Sequence, residues 1–143
     1  FQKGAIKALK FLNDNKYNIY VVTNQSGIAR GYFSEKDVIN LHNFIIYQLE
    51  IRGIYINKFY YSPYHKDGIV TKYKKDSSCR KPGIKLFKIL VKEWNIINKK
   101  NITMIGDQKS DMEFAINAKI KFALFLNGNL FNFIKTLVSK KKF

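Results

Sequence analysis

An α/β class with a parallel sheet flanked by helices is what the sequence predicts, and three observations carry it. Short runs rich in β-branched and aromatic residues alternate with longer segments of helical apolar period, the pattern of strands joined by crossover helices. The run ending in Val21 and Val22 passes directly into a polar, glycine-bearing stretch, TNQSGIARGYF, residues 23–33. A second apolar run, residues 102–105, ends in Gly106 and Asp107. Polar groups just past the carboxyl ends of strands are where open parallel sheets bind ligands.

Taken in order, residues 3–16 place Ala5, Ile6, Ala8, Leu9, Phe11 and Leu12 at helical spacing, and Asn13, Asp14 and Asn15 close that helix. Residues 18–23 read as a strand. Ser34 is an N-cap with Asp37 three residues on, and Val38, Leu41, Ile45 and Leu49 line one face of a helix over 35–52 that stops near Gly53. Phe59, Tyr60 and Tyr61 mark a short strand. Residues 63–82 carry Pro63, Gly68 and Pro82 without an apolar period, which predicts a long loop.

Helix resumes over 83–97, with Ile84, Phe87, Leu90, Val91 and Trp94 on one face. The run 102–105 suits a strand buried on both faces. Residues 111–118 read as a helix, 122–126 as a strand and 129–138 as a last helix. Right-handed crossovers between such strands give a Rossmann-like parallel sheet, and no internal repeat or linker divides residues 1–143, so a single domain is expected.

Composition narrows the function classes. No apolar run approaches the roughly 20 residues of a membrane span, so no membrane association is expected. The single cysteine, Cys79, excludes an internal disulfide and, with no secretory leader in the opening residues, gives a cytoplasmic expectation. The net charge of +16 invites a polyanion reading. The lysines are spread along the chain, however, and the dense runs 72–75 and 140–142 read as a solvated loop and a frayed end, so nucleic acid is not the expected partner.

Three clusters carry the chemistry. Thr23 and the backbone N–H groups of Asn24 and Gln25 can donate to phosphoryl oxygens, although the same residues suit an ordinary turn. Lys81 offers a cation for charge developing on a transferring phosphoryl group, and Arg80 can grip an oxyanion through two N–H groups, although an Arg-Lys pair in so basic a chain also suits solvated surface. Asp107 stands at the end of a strand with Asp111 four residues on. One carboxylate can hold Mg²⁺ and the other support it, and helix capping by Asp107 or Ser110 is the competing reading.

Together these segments resemble the haloacid dehalogenase-like (HAD-like) phosphatases over essentially the whole chain. Thr23 is similar to the hydroxyl residue of that superfamily's second motif, Lys81 to the lysine of its third, and Gly106 and Asp107 with Asp111 to its acidic fourth. TNQSGIARGYF and CRKP, residues 79–82, resemble more closely the capless subgroup of histidinol phosphatases and D-glycero-D-manno-heptose 1,7-bisphosphate phosphatases, with the wording of residues 28–33 most like the heptose enzymes.

The resemblance implies a Mg²⁺-dependent phosphatase acting on a small phosphorylated sugar, as a monomer, in the synthesis of lipopolysaccharide precursors. Thr23, Asn24, Gln25, Ser26, Arg80 and Lys81 would contact substrate, Thr23 and Lys81 would stabilise the phosphoryl group, and Asp107 would ligate Mg²⁺. Histidinol phosphate and a 3′-phosphorylated polynucleotide are the alternative substrates. A phosphosugar-binding protein without turnover is the alternative from another class.

The sequence departs from the subgroup at two places. Relatives carry zinc in the long loop on a Cys-x-His and a Cys-x-Cys element; the corresponding positions here are Ser62, Tyr64, Ser77 and Cys79, so only Cys79 is a zinc ligand and no zinc is expected. His65 is adjacent to that pattern and reads as a solvated loop residue. The superfamily's nucleophile is the first aspartate of an Asp-x-Asp pair ending the first strand, and no Asp-x-Asp occurs in the 143 residues. The resemblance thus places the aspartyl-phosphate nucleophile ahead of Phe1, in an N-terminal segment missing from this chain, which alone would be inactive. It also implies a sheet without its first, central strand, with strand edges and apolar faces left open.

Overall fold

In the computed structural model, which describes residues 1–140, helices and parallel strands alternate as expected. Lys141 and Lys142 of the terminal basic run lie outside the described residues. The order is α1 (Ala5–Asp14), β1 (Tyr20–Asn24), α2 (Ser26–Ala29), α3 (Glu35–Glu50), β2 (Lys58–Ser62), α4 (Lys85–Glu93), a 3₁₀ turn (Lys99–Asn101), β3 (Thr103–Gly106), α5 (Lys109–Ala118), β4 (Lys121–Leu124) and α6 (Leu130–Ser139).

The strands form two pairs. β1 runs parallel to β2 with Val22 opposite Tyr60, and β3 parallel to β4 with Ile105 opposite Ala123. Among the described residues β1 and β3 are not hydrogen-bonded to each other, so each keeps one open edge. This corrects the expectation of a strand over 102–105 buried on both faces: every residue of β3, and of β1, is only partly buried, because each strand has a neighbour on one side alone.

Two apolar clusters hold the pairs together. On one face Ala8 and Leu12 of α1 meet Ile134 of α6, with Ile19 and Ile105 packed against them. On the other, Phe87 of α4 meets Phe114 and Ala118 of α5, and Val22 and Met104 pack on that group. Residues flanking or belonging to both strand pairs therefore share each cluster, and apolar burial couples what the ladders do not.

Local chemistry explains the helix boundaries. Ser34 Oγ accepts the Asp37 N–H at 3.2 Å while the Asp37 carboxylate accepts the Ser34 N–H at 2.8 Å, a reciprocal cap that starts α3 where the sequence places it. The helix stops before Gly53, whose φ of 63° favours a residue without Cβ. Leu41 is a correction: it is 52% exposed, and the inward positions belong to Val38, His42 and Leu49. His42 stacks on Phe59 with ring centroids 4.4 Å apart, which lets a titratable ring fill a core position, and burial lowers its pKa.

The helix expected over 83–97 ends earlier, at Glu93, and Asn95 reverses the chain with φ 48°. Trp94 instead donates through Nε1 to the Tyr60 hydroxyl, which in turn donates to Glu93 at 2.8 Å. Burial and the Glu93 carboxylate push the Tyr60 hydroxyl up to about 12.

The long loop is anchored at several points. Glu35 accepts hydrogen bonds from Tyr73 at 2.7 Å and Tyr61 at 2.9 Å, joining the start of α3 to the loop and to β2. The Tyr73 bond lowers the Glu35 pKa, and the Tyr61 bond and the Lys72 charge add to it against the opposing effect of burial. A depressed carboxylate stabilises the fold above its ordinary pKa of 4.5 and loses that contribution as pH falls through the lowered value. Glu35→Gln is expected to flatten the dependence of thermal unfolding temperature on pH between about 5 and 3. An unchanged slope would show that the tyrosine contacts do not persist in solution.

Candidate active site

The groups assigned from sequence sit at the carboxyl ends of β1 and β3, in the first turns of α2 and α5 that follow those strands, or in the loop over 63–82, and the contacts between them are specific. Asn24, the last residue of β1, binds the Lys81 backbone twice: its Nδ2 donates to the Lys81 carbonyl at 3.2 Å, and its Oδ1 accepts the Lys81 N–H at 2.9 Å. A primary amide side chain presents donor and acceptor side by side, so it imitates the neighbouring strand that the loop lacks.

That clamp turns the Lys81 side chain inward. Its Nζ donates to the Val22 carbonyl at 2.7 Å and lies 2.6 Å from Asp111 Oδ1, with the lysine side chain 10% and the carboxylate 6% exposed. The charges offset each other in a nearly dry place, where either alone would carry a large desolvation cost. The Oδ1 contact lacks well-directed hydrogen-bond geometry, so charge rather than direction holds it.

Asp111 does a second job. Its Oδ2 accepts the N–H groups of Asp107 at 3.2 Å and Gln108 at 3.1 Å, closing the turn from β3 into α5. Gly106 makes this possible: a Cβ there would lie 2.4 Å from Asp111 Oδ2, too close for any side chain. Asp111 is therefore engaged on both oxygens by this chain, while Asp107 is exposed, with Oδ2 accepting from Gln108 Nε2 at 3.1 Å.

Thr23 and Gln25 are also redistributed. Gln25 Nε2 donates to Thr23 Oγ1 at 3.2 Å, leaving the hydroxyl hydrogen for another acceptor. The Gln25 N–H donates to the Ser62 carbonyl at 2.8 Å, because the β1–β2 ladder continues one residue past the strand. This corrects the assignment of that N–H to a phosphoryl oxygen. Ser26 opens α2, a helical turn not read from the sequence because four residues carry no period.

The residues fit Mg²⁺ in the manner that ion is usually held, by one or two carboxylates with phosphate oxygens and water completing the shell. Asp107 presents an exposed carboxylate, and among the described residues no three His, Cys, Asp or Glu side chains converge to form a fuller cage. Of the four positions aligned with the zinc pattern, Cys79 packs with Tyr60, Leu86 and Leu90, and Ser62 is fully buried. His65 departs from the solvated expectation, since its side chain is only 14% exposed and faces Arg30. Arg80 is half-buried, and its Nη1 is enclosed without a hydrogen-bond partner.

Comparison with known proteins places this geometry. The family model described as polynucleotide kinase 3 phosphatase matches residues 1–125. The D-glycero-beta-D-manno-heptose-1,7-bisphosphate 7-phosphatase of Haemophilus influenzae is 39% identical over 121 residues, 85% of this chain and 65% of that protein. The chain thus spans just under two thirds of that relative. The protein of the same name from Rhodopseudomonas palustris is 34% identical over 135 residues, 94% of this chain and 74% of its own length. In fold, the chain superposes on the D,D-heptose 1.7-bisphosphate phosphatase from B. bronchiseptica, a crystal structure complexed with magnesium and phosphate, with a TM-score of 0.82 at 19% identity, covering 96% of this chain and 83% of that one. By the span of the family match and the identity to these relatives, the chain belongs to the polynucleotide kinase 3 phosphatase family of HAD-like phosphatases.

Proposed function

We propose that this chain forms the phosphoryl-binding part of a Mg²⁺-dependent sugar-phosphate phosphatase whose substrate is D-glycero-D-manno-heptose 1,7-bisphosphate. The observation that carries the reading is the buried Lys81, held by the Asn24 clamp and by Asp111 beside Thr23 and Asp107. A phosphatase must stabilise negative charge on equatorial phosphoryl oxygens, and a cation fixed in advance does so without reorganising. The names of the relatives support the sugar.

In this mechanism Thr23 donates its hydroxyl to one phosphoryl oxygen and Lys81 turns its remaining N–H to another. Arg80, with Asn24, Gln25 and Ser26, orients the ester. Asp107 would hold Mg²⁺, which supplies charge neutralisation at the phosphoryl group. Asp111 positions Lys81 and closes the turn that presents Asp107, a supporting part rather than a ligand. The attacking carboxylate comes, in this reading, from a strand seated between the open edges of β1 and β3, because no Asp-x-Asp occurs in residues 1–143 and those edges flank the site.

The test is phosphate release by the full natural protein, with and without Mg²⁺, from heptose 1,7-bisphosphate, histidinol phosphate and a 3′-phosphorylated oligonucleotide. Mg²⁺-dependent release from the bisphosphate is expected. Release from the oligonucleotide alone would replace the sugar with the second reading, polynucleotide 3′-phosphatase, which the family description and the net charge of +16 favour. Binding of the bisphosphate without release would identify a phosphosugar-binding protein.

A further inference from the structure

The outward side of α3 is apolar where solvent should meet polar residues. The helix turns Val38, His42 and Leu49 toward the core. At about 100° per residue, Phe44, Tyr47 and Ile51 fall on the opposite side, at i, i+3 and i+7, and they are 58%, 60% and 58% exposed. Leu41 borders the same strip and is exposed as well. Single exposed apolar residues are ordinary on a protein surface. Three in line along about two turns of one helix, with a fourth beside them, form a contiguous patch of the kind that protein contacts use.

The charges on the flanks of the strip show what it fits. Asp37 and Arg52 stand near opposite ends of α3 on the Leu41 side, and Lys36 and Glu50 near opposite ends on the other. All four are exposed, and among the described residues none makes an ion pair within this chain. Asp37 uses Oδ2 for the Ser34 cap, accepting from the N–H at 2.8 Å and from Oγ at 2.7 Å, which leaves Oδ1. Arg52 donates back along its own helix through Nη1, to the carbonyl and to Oε1 of Gln48, which leaves Nε and Nη2.

Each flank thus carries an acid at one end and a base at the other. An antiparallel copy of α3, related by a two-fold axis across the strip, sets Phe44 against Tyr47 of the second copy. The same placement brings Asp37 to Arg52 of the second copy, and Lys36 within reach of its Glu50. The two-fold repeats every pair, and antiparallel helix dipoles attract.

We propose that the outward face of α3 is a homodimer interface, in which two copies of this chain pack α3 against α3 in antiparallel. The partner is a second copy because the strip and its flanking charges are complementary to themselves. This inference does not depend on the phosphatase reading, and it replaces the monomer that the family resemblance implies.

Sedimentation velocity of the full natural protein, over about 1 to 200 µM, tests it. One helix pair is a small interface, so a dimer that dissociates within this range is expected. Phe44→Glu buries two unpaired carboxylates beside the two-fold and should raise the dissociation constant by at least about 100-fold. Its unfolding temperature should stay within a few degrees of the parent at a concentration where both are monomeric, because residue 44 is exposed in the single chain. Lys36→Glu sets like charges together twice and should weaken the dimer by about 3- to 10-fold, and adding Glu50→Lys should restore it.

A parent that stays monomeric throughout the range overturns the dimer and assigns the strip to a different protein. A dimer that Phe44→Glu leaves intact has its interface elsewhere, which overturns the proposal equally. Loss of the dimer in Phe44→Glu with recovery in the charge exchange sustains it. Loss without that recovery overturns the antiparallel arrangement, since parallel helices would place Lys36 beside Asp37 of the second copy instead.

Discussion

Lys81→Met is expected to lose about 3–5 kcal/mol of stability and to lower phosphate release by about 10²- to 10³-fold. The two losses have separate causes. Stability falls because the Asp111 side chain, 6% exposed, is left in a nearly dry place without the cation 2.6 Å away, and because the Val22 carbonyl loses its donor. Activity falls because the fixed positive charge at the phosphoryl position is gone. The double variant Lys81→Met with Asp111→Asn distinguishes them: removing the stranded charge while retaining an acceptor for the turn N–H groups should recover part of the stability and none of the activity. Chemical denaturation and the phosphate assay read the two effects. A Lys81→Met protein as stable as the parent would mean that the pair is hydrated in solution.

Gly106→Ala is expected to be the second large loss, about 3 kcal/mol, from a single added methyl group. Its Cβ would stand 2.4 Å from Asp111 Oδ2 and 2.5 Å from Asp111 Cβ, so β3 and the first turn of α5 must separate. That displacement pulls Asp111 from Lys81, so activity should fall with stability although residue 106 contributes no side chain. Gly53→Ala is the comparison. Unlike Gly106 it sits at positive φ, 63°, but a Cβ there meets nothing within 4 Å, so only the backbone penalty of about 1–2 kcal/mol applies. Equal losses at the two positions would contradict the contact described at Gly106.

Features whose cause is local in the chain were legible from the sequence. The Ser34 and Asp37 cap lies within one helical turn, and the start of α3 follows from it. Apolar period found α1, α5 and α6 to within two residues at most of their boundaries. The inward face of α3 was misread at Leu41 because the choice between Leu41 and His42 depends on Phe59, whose ring arrives from another element. The end of α4 was placed too late because Trp94 is recruited by Tyr60, 34 residues away.

The candidate site divides in the same way. Residue types pointed to Thr23, Arg80, Lys81, Asp107 and Asp111, since strand-end loops and charge are visible in order along the chain. The bonds between Asn24 and Lys81 join residues 57 apart, and the Arg30 contact with His65 spans 35. No spacing rule reaches that far. The Gln25 N–H was assigned to phosphate because nothing in the sequence shows that Ser62 completes its hydrogen bond.

The pairing of α1 with α6 has a consequence for how the molecule assembles. The Lys3 carbonyl accepts the Leu130 N–H at 2.9 Å, and Ala8 and Leu12 are covered by Ile134. A ribosome delivering this chain would therefore leave Ala8 and Leu12 without their Ile134 cover until α6 emerges. Contacts of such wide separation in sequence slow folding and lengthen exposure to other chains. A heat-shock holdase or a reduced translation temperature should accordingly raise the yield of soluble protein, measured as the folded fraction after expression.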